Sequence, residues 1–470
     1  MKKYNGIINI QNVYFSEGKM NYILYRIETY GIKNISKLVS FDFASQTVTN
    51  KIVKNQSKIK AIYGTNGAGK SAFMNSIEIY KKLNLDPNYL KQNENIIKLN
   101  KILNKENENN KEFYFSVIYG EVNNKILINV FKHQLKLKII NKIPYITDES
   151  LSILKDKTIN GVYQDIYKIT DGELQIYCNE VDGINGLLYE KTKNILQYST
   201  LSSLAFENYL IPVIKNILKD KTIELISDFK SKILYSMLCN NYFSKEITIF
   251  LDEKDIHNEQ DSSNVDLLIE QLEKHRELFK NRISSNEDLV LKNEYAQYEK
   301  NVKKLYKFLK LFKPDLLDIK IEIKEDEYFY HCSKKMVYEK YEIDTDYEST
   351  GIQKLMKLFS AIEDVVKGKI VFIDELDANI NGVYLNKLIE YLNDLQNGQL
   401  CFTLHNLYPM KYLYKYSNAI DFIGETGKIV SWVKNGNSRP YEKYPEGMIE
   451  DSPFNIESFD FISVFESEEE

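Results

Sequence analysis

The chain is poor in the residues that define several protein classes. Only four of its 470 residues are cysteines: Cys178, Cys239, Cys332 and Cys401. They show neither C-x-x-C spacing nor a nearby histidine pair, which argues against a disulfide framework and against a cysteine zinc site. No run of 18 or more apolar residues occurs, so no segment has the length of a transmembrane helix. We expect four reduced thiols in the core of a protein without a membrane span.

A secretion signal and a uniform basic charge are also missing. The first segment, MKKYNGIINIQNVYFSEGK, lacks the continuous apolar stretch of a signal peptide, so we expect a cytoplasmic protein. The net charge is -5, but residues 1–60 carry ten Lys/Arg against three acids, whereas residues 446–470 carry nine acids and no base. This balance does not indicate a uniformly basic nucleic-acid-binding protein, and it leaves a local basic surface open.

What the chain does contain is a complete phosphate-loop motif, G-x-x-x-x-G-K-S, within AIYGTNGAGKSAF. An apolar run ends at Tyr63 and apolar residues at helical spacing follow Ser71, so the glycines lie where a strand turns into a helix. Glycines reach backbone angles closed to other residues, which lets consecutive amide N–H groups converge on an anion. The predicted phosphate-binding residues are Gly64, Asn66, Gly67, Ala68, Gly69, Lys70 and Ser71. The motif places Lys70 between the β- and γ-phosphates of ATP and the Ser71 hydroxyl on Mg²⁺.

A second stretch, KIVFIDELD, supplies the acidic residues that such an ATPase needs. Residues 370–373 form an apolar run suited to a central parallel strand, and Asp374 and Glu375 follow at its carboxyl edge, where ligands collect in such sheets. We predict that Asp374 holds Mg²⁺ through water and that Glu375 polarises the attacking water.

Two further stretches complete an ordered set of motifs. In YESTGIQKLMKLF, Ser349 and Gly351 begin an apolar-periodic helix, and in QLCFTLHNLYPM a second apolar strand ends at His405. The order of phosphate loop, S-x-G helix start, acidic strand and histidine strand resembles the ABC-type and SMC-like ATPases. The resemblance implies that Ser349 and Gly351 act on ATP held by another subunit and that His405 contacts the γ-phosphate. It also implies that Asp377 begins a loop facing the partner, in an ATP-dependent homodimer or higher oligomer.

The S-x-G segment at Ser349–Gly351, called the signature below, departs from the form found in ABC transporters. Thr350 replaces a glycine of that form, and Ile352 replaces a glutamine. The chain is similar to the ATPase half of the OLD (overcoming lysogenization defect) nucleases and to the ATPase subunits of the PARIS, AbiL and Septu anti-phage systems. OLD nucleases carry a Toprim nuclease domain after the histidine strand, which needs a D-x-D cluster. The 65 residues after His405 contain none, so we expect any effector chemistry on another polypeptide.

The predicted fold is α/β, an ABC/SMC-like P-loop ATPase lobe with a mixed sheet and an inserted helical domain. Its predicted parts are the first half of the ATPase domain (1–190), a helical insertion (191–313), the second half (314–440) and an acidic tail (441–470). Alternating patterns and a hairpin with Asn123 and Asn124 near its turn indicate strands in the first part. Residues 91–113 are either a solvated connection or a loosely held helix. Candidate helices in the insertion span residues 204–218, 229–243 and 265–283.

Two surface features bear on partners. Six lysines lie on one side of a predicted helix whose other side is apolar: Lys300, Lys303, Lys304, Lys307, Lys310 and Lys313. The pattern favours a face that is simply exposed to solvent. The alternative is a surface that binds nucleic-acid phosphates or an acidic protein. The tail mixes acids with five large apolar residues, which favours a docking segment over a free tail: Phe454, Ile456, Phe459, Phe461 and Phe465.

These observations lead to one principal functional hypothesis and one alternative. The resemblance implies an ATP-hydrolysing sensor and scaffold of an anti-phage defence system, which uses ATP and Mg²⁺ and controls a separately encoded nuclease or toxin. DNA or a phage protein is the expected trigger. The alternative is a DNA-repair or chromosome-maintenance SMC-like ATPase, which strong, salt-sensitive stimulation by DNA would favour.

Overall fold

The structure is a computed structural model that describes residues 21–48, 58–103, 111–123, 126–178, 184–204, 232–251, 287–326, 328–394, 398–424, 427–433, 438–450 and 452. The chain divides into two compact units. Unit 1 consists of Met1–Ile247, Gln399–Thr403 and Leu413–Glu470. Unit 2 consists of Thr248–Gly398 and Leu404–Tyr412. Each unit is described by itself below.

The described strands are, in chain order, β1 (Asn21–Tyr30), β2 (Val39–Asp42), β3 (Ile59–Tyr63), β4 (Lys111–Asn123), β5 (Ile126–Ile140), β6 (Ile143–Leu154), β7 (Tyr163–Thr170), β8 (Glu173–Ile176), β9 (Ile247–Phe250), β10 (Asp288–Leu291), β11 (Asp318–Glu325), β12 (Phe329–Val337), β13 (Glu342–Asp344), β14 (Ile370–Ile373), β15 (Gln399–Thr403), β16 (Ile420–Ile423) and β17 (Ile429–Ser431). The described α-helices are α1 (Lys70–Leu85), α2 (Asn93–Ile102), α3 (Ile184–Thr192), α4 (Leu201–Leu204), α5 (Lys232–Lys245), α6 (Tyr295–Lys310), α7 (Thr350–Val366), α8 (Gly382–Asp394), α9 (Met410–Leu413) and α10 (Pro440–Lys443). Within the described residues, no helix is long and apolar enough to cross a membrane.

Unit 1 contains a seven-stranded antiparallel sheet in the order β2-β1-β4-β5-β6-β7-β8. The strands predicted before the phosphate loop are confirmed as β1 and β2. The predicted hairpin is confirmed as β4 and β5, with Asn123 the last residue of β4, whereas Asn124 lies outside the described residues. Residues 93–102 form a helix, α2, within the stretch for which the sequence left connection and helix open.

Unit 1 also contains a mixed arrangement of four strands around β3. Strands β15 and β16 flank β3 and run parallel to it, while β17 pairs with β16 in the antiparallel direction. Every residue of β3, β15 and β16 is buried, as expected for parallel strands covered on both faces. The predicted α/β class with a mixed sheet is confirmed.

Helix α1 directly follows the phosphate loop and is buried along most of its length. Its Phe73 ring lies 4.1 Å from the Phe41 ring of β2, and its Tyr80 ring stacks on Phe115 of β4 at 4.5 Å, measured between ring centroids. The aromatic contacts join α1 to the antiparallel sheet, so the element that carries Lys70 and Ser71 is fixed by the core of unit 1.

Unit 2 is built around β10, β12 and β11, with β13 paired to β12, and helices α6 and α7 pack on this sheet. Val302, Leu305 and Leu309 of α6 are buried against Leu355 and Met356 of α7. The predicted apolar side of the lysine-bearing helix is therefore confirmed. Strands β9 and β14 are neighbours in the remaining part of this unit.

The region predicted as a helical insertion contains both helices and strands. The candidate helix at 229–243 corresponds to α5, which begins at Lys232. The short strands β9 and β10 also fall within 191–313, each paired with a strand distant in sequence. The candidate helix at 265–283 and nearly all of the one at 204–218 lie outside the described residues, as do residues 453–470 of the acidic tail.

Candidate functional site

The phosphate-loop motif forms a tight turn between β3 and α1 in unit 1. Gly67 and Gly69 have φ angles of 83° and 112°, in the left-handed region that favours glycine. Gly69 is the N-cap of α1. A Cβ at Gly64 would lie 2.5 Å from the carbonyl oxygen of Ile423 in β16, so the loop packs directly against the neighbouring strand. Glycine is required at these points for two different reasons, backbone angle and close approach.

Lys70 closes the loop from the inside. The side chain is buried, with 7% of its surface exposed, and its Nζ donates to the carbonyl oxygens of Gly64 at 2.7 Å and Thr65 at 3.1 Å. Ser71 follows in the first turn of α1, where its carbonyl accepts a hydrogen bond from Asn75 Nδ2 at 2.8 Å. The motif therefore gathers an ammonium group, a hydroxyl and the positive end of a sixteen-residue helix at one place.

One buried side-chain oxygen in this loop has no hydrogen-bond partner among the described residues. It is the hydroxyl of Thr65. Buried hydroxyls in proteins are normally paired. An orphaned hydroxyl beside the lysine, together with the left-handed glycines, fits a loop that receives the oxygens of a phosphate.

A buried ion pair supports the strand beneath the loop. Lys60 Nζ of β3 lies 2.6 Å from Asp421 Oδ2 of β16, and both side chains are almost completely buried. Burial raises the pKa of Asp421, and the Lys60 ammonium works against that shift. Removing one partner alone would leave a buried charge uncompensated. Both residues are therefore needed to keep the two strands paired.

The acidic residues lie at the end of β14 in unit 2. All four residues of β14 are buried, and the backbone N–H of Asp374 donates to the carbonyl of Phe250 at 2.8 Å, next to β9. The Asp374 side chain is nearly buried, whereas 39% of the Glu375 side chain is exposed. Glu375 has a φ of 49°, unusual for a residue with a side chain, so the chain turns sharply at this carboxylate. Strained backbone of this kind clusters at functional sites.

His405 lies beside Glu375 in the same unit. Its Nε2 is 4.0 Å from Glu375 Oε1, and 47% of the imidazole is exposed. The two side chains are too far apart for a direct hydrogen bond and close enough to act on one small group. The structure therefore brings together the two residues that the sequence predicted as catalytic.

Asp377 has a role that sequence reasoning missed. Its Oδ2 accepts hydrogen bonds from the backbone N–H groups of His405 at 2.8 Å and Asn406 at 2.6 Å. One carboxylate thus fixes the segment that carries the histidine to the turn that carries Glu375. The pairing spans 28 positions, and no local pattern in the sequence signals it.

Ser349 and Gly351 lie at the start of α7 in unit 2. Ser349 is the exposed N-cap residue of α7, and its side chain makes no capping hydrogen bond. A Cβ at Gly351 would lie 2.6 Å from the carbonyl oxygen of Asn379, so the signature glycine allows close approach to the turn after the acidic pair. The structure thereby places the S-x-G turn against the Asp377–Asn379 segment.

The residue before the signature is held firmly. The buried Glu348 carboxylate accepts hydrogen bonds from the Tyr338 hydroxyl and from the backbone N–H of Ser349, and it lies 3.4 Å from Lys313 Nζ. Burial raises the pKa of Tyr338, and its hydrogen bond to Glu348 adds to that shift. The exposed Ser349 therefore projects from a rigid base.

The predicted metal ligands are Ser71 in unit 1 and Asp374 in unit 2. Among the described residues, no group of three or more His, Cys, Asp and Glu side chains forms a closed metal site. Mg²⁺ beside nucleotide phosphates usually takes one or two protein ligands and keeps several waters, so the Ser71 hydroxyl and the Asp374 carboxylate are each, taken separately, a suitable type of ligand.

Comparisons with known proteins give structural neighbours only. No family model and no curated protein matches the chain. An SMC head bound to the C-winged helix domain of ScpA is similar with a TM-score of 0.40 and 13% identity, over 87% of this chain and 97% of that chain. The SMC head domain from Thermotoga maritima is similar with a TM-score of 0.32 and 10% sequence identity. The match covers 88% of this chain and 99% of that chain. RecF with ATP, a recombination mediator of the RecFOR pathway, is similar with a TM-score of 0.31 and 13% sequence identity. The match covers 88% of this chain and 99% of that chain. TM-scores of 0.40 and below do not extend the activity or the partners of these proteins to this chain.

Proposed function

We propose that the chain is an ATPase that converts ATP and water to ADP and phosphate. The observation that carries the proposal is the strand, loop and helix at residues 59–85. There the complete motif has left-handed glycines, a buried Lys70 bound to loop carbonyls and an unpartnered Thr65 hydroxyl. Such a loop binds phosphate through backbone N–H groups and one ammonium, a geometry that suits the β- and γ-phosphates of ATP.

The residues of unit 2 suit the hydrolytic step. Glu375, partly exposed at a sharp turn, polarises the attacking water as general base, and His405 beside it contacts the γ-phosphate. Ser71 of unit 1 and Asp374 of unit 2 are the residues that would hold Mg²⁺. The ion supplies charge neutralisation on the phosphate oxygens when it is bound.

The exposed signature supports a second part of the proposal, ATP-dependent association of two chains. The backbone N–H of Ser349 is held by Glu348 at the start of α7, and the Ser349 hydroxyl makes no capping hydrogen bond. A serine and a helix N-terminus presented in this way can bind the γ-phosphate of ATP held by another chain. Binding of ATP then favours the associated state, because only that state offers these contacts.

The first experiment measures phosphate release by the purified protein. We expect turnover of ATP with Mg²⁺ and loss of turnover when EDTA removes the metal. Turnover that continues in EDTA would contradict the roles of Ser71 and Asp374. Absence of both turnover and nucleotide binding would contradict the ATPase itself.

At the level of the cell, we propose that the protein is a sensor and scaffold in anti-phage defence. The ATP-dependent association of two chains would control a separately encoded effector. The support is the order of motifs and its resemblance to defence ATPases. Phage challenge of cells that express the chain with and without its neighbouring gene tests this role, with Lys70→Ala as the inactive control. We expect protection only from the intact pair, and no cutting of DNA or RNA by the purified chain.

A DNA-repair or chromosome-maintenance ATPase is the second candidate, because Lys300, Lys307 and Lys310 lie on the exposed side of α6. Two further lysines of this face, Lys303 and Lys304, already pair with Glu299 and Glu363. DNA-stimulated turnover that falls steeply with salt would favour this second role.

A further inference from the structure

A short turn after β1 contacts the phosphate loop of unit 1. In this turn the N–H of Gly31 donates to the carbonyl of Ile35 at 2.8 Å, and the N–H of Ile35 donates to the carbonyl of Ile32 at 2.8 Å. Lys33, with a φ of 47°, occupies the left-handed position that closes the turn. The residue that follows, Asn34, is exposed at its tip.

The turn is anchored to two other elements of unit 1. A Cβ at Gly31 would lie 1.8 Å from the carbonyl oxygen of Glu112 in β4, so the backbones touch and any larger residue would force them apart. On the other side, the N–H of Lys33 donates to the carbonyl of Ile102, the last residue of α2, at 2.6 Å. The position of Asn34 is therefore set by the core sheet and by α2.

From this fixed position, Asn34 Nδ2 donates a hydrogen bond to the carbonyl oxygen of Gly67 in the phosphate loop. The next residue, Ile35, is buried and would lie 3.0 Å from a Cβ at Gly69. The turn thus contacts two of the three glycines of the motif.

The bond from Asn34 acts on one particular peptide group. The carbonyl of Gly67 and the N–H of Ala68 belong to the same planar unit, so fixing one end fixes the direction of the other. At the other end, the N–H of Ala68 donates to the carbonyl of Thr65 at 3.2 Å. A Cβ at Gly67 would meet no atom within 4 Å, so no neighbouring group packs against the side of this glycine where a side chain would lie. Without the bond from Asn34, the 3.2 Å bond from Ala68 N–H to Thr65 would be left to hold this peptide, and glycine at position 67 adopts both signs of φ readily.

We propose that Asn34 is a positioning residue for nucleotide binding, which holds the Gly67–Ala68 peptide in the orientation that the phosphates require. The inference rests on the proposed ATPase function. Asn34 acts by pre-organising the loop, so its contribution appears in the affinity for nucleotide and not in the chemical step.

The test compares three substitutions at Asn34 by the KM and kcat for ATP and by direct nucleotide binding. Asn34→Ala removes the donor, and we expect affinity to fall about two- to tenfold with kcat nearly unchanged. Asn34→Asp should be weaker still, because a carboxylate cannot donate and places a negative charge near the phosphates. Asn34→Gln retains the amide and should recover most of the affinity.

Asn160→Ala is the matched control, because it removes another exposed amide of unit 1, one bound to Gln46 and Arg26. Its nucleotide affinity should equal that of the wild type. Asn34 is exposed, so its variants should melt close to the wild-type temperature without nucleotide, and a large loss of stability in Asn34→Ala would mean that the residue is merely structural.

The outcomes separate the two proposals. If the wild type binds ATP and Asn34→Ala binds it equally well, the positioning role is wrong while the ATPase function stands. The same holds if Asn34→Gln is as weak as Asn34→Asp. If the wild type binds no nucleotide, both proposals fall together.

Discussion

The phosphate loop of unit 1 and the acid–histidine segment of unit 2 are held in place by different means. In the loop, the shape comes from the backbone: left-handed glycines, the close approach of Gly64 to Ile423, and carbonyls bound by Lys70. In unit 2, the shape comes from a side chain, since the Asp377 carboxylate fixes the backbone that carries His405.

This difference follows from what each region has to bind. A phosphate group presents several oxygens at once, and a row of backbone N–H groups can serve all of them. Activation of a single water needs one carboxylate in one place, which demands a positioned side chain. Unit 2 should therefore be more sensitive to conservative changes of side chains, and unit 1 to changes of glycines and of the lysine.

The largest effect that we expect in unit 2 is that of Ser349→Arg. The substitution puts a bulky cation where the phosphate of ATP on a second chain has to approach. ATP binding by the single chain should be retained, while ATP-dependent association and turnover should be lost. Size measurements with and without ATP, made in a Glu375→Gln background to preserve the nucleotide, check this.

The control for that substitution is Ser349→Ala, which removes the hydroxyl without adding volume and should weaken association only in part. Normal association of Ser349→Arg would rule out the proposed role of the signature in trans.

A smaller effect is expected for Asp377→Ala, which leaves the N–H groups of His405 and Asn406 without their acceptor. We predict a loss of about 1–3 kcal/mol in the free energy of unfolding and a lower kcat, because His405 is no longer held beside Glu375. Denaturant unfolding and steady-state kinetics measure the two quantities.

Asp377→Asn sharpens this test, because its amide still offers one acceptor oxygen and should retain most of the stability. If Asp377→Ala unfolds and turns over like the wild type, the carboxylate does not position the histidine.

The sequence predicted the local part of this architecture. The strand, loop and helix around Lys70 were predictable because their signals, an apolar run, glycines and helical spacing, lie within about twenty-five residues. The order of Ser349, Asp374 and His405 was likewise visible in the sequence. The α/β class followed from the same patterns.

The contacts that join distant segments could not be predicted in this way. Strands β9 and β10 were missed within a stretch of helical periodicity, because segments of only four residues acquire their identity from the strand that they pair with. The bond from Asn34 to Gly67 and those from His405 and Asn406 to Asp377 depend on the tertiary fold. Polar side chains on turns carry no periodic signal.

The division of labour between the two regions is tested most directly by measuring ATP affinity and turnover in Lys70→Ala and Glu375→Gln. Lys70→Ala deletes the charge that binds phosphate, so we predict an affinity about tenfold or more below that of the wild type. Glu375→Gln keeps the shape and loses the base, so we predict unchanged affinity and turnover reduced by about a hundredfold or more. Unchanged turnover in Glu375→Gln, or wild-type affinity in Lys70→Ala, would contradict the account.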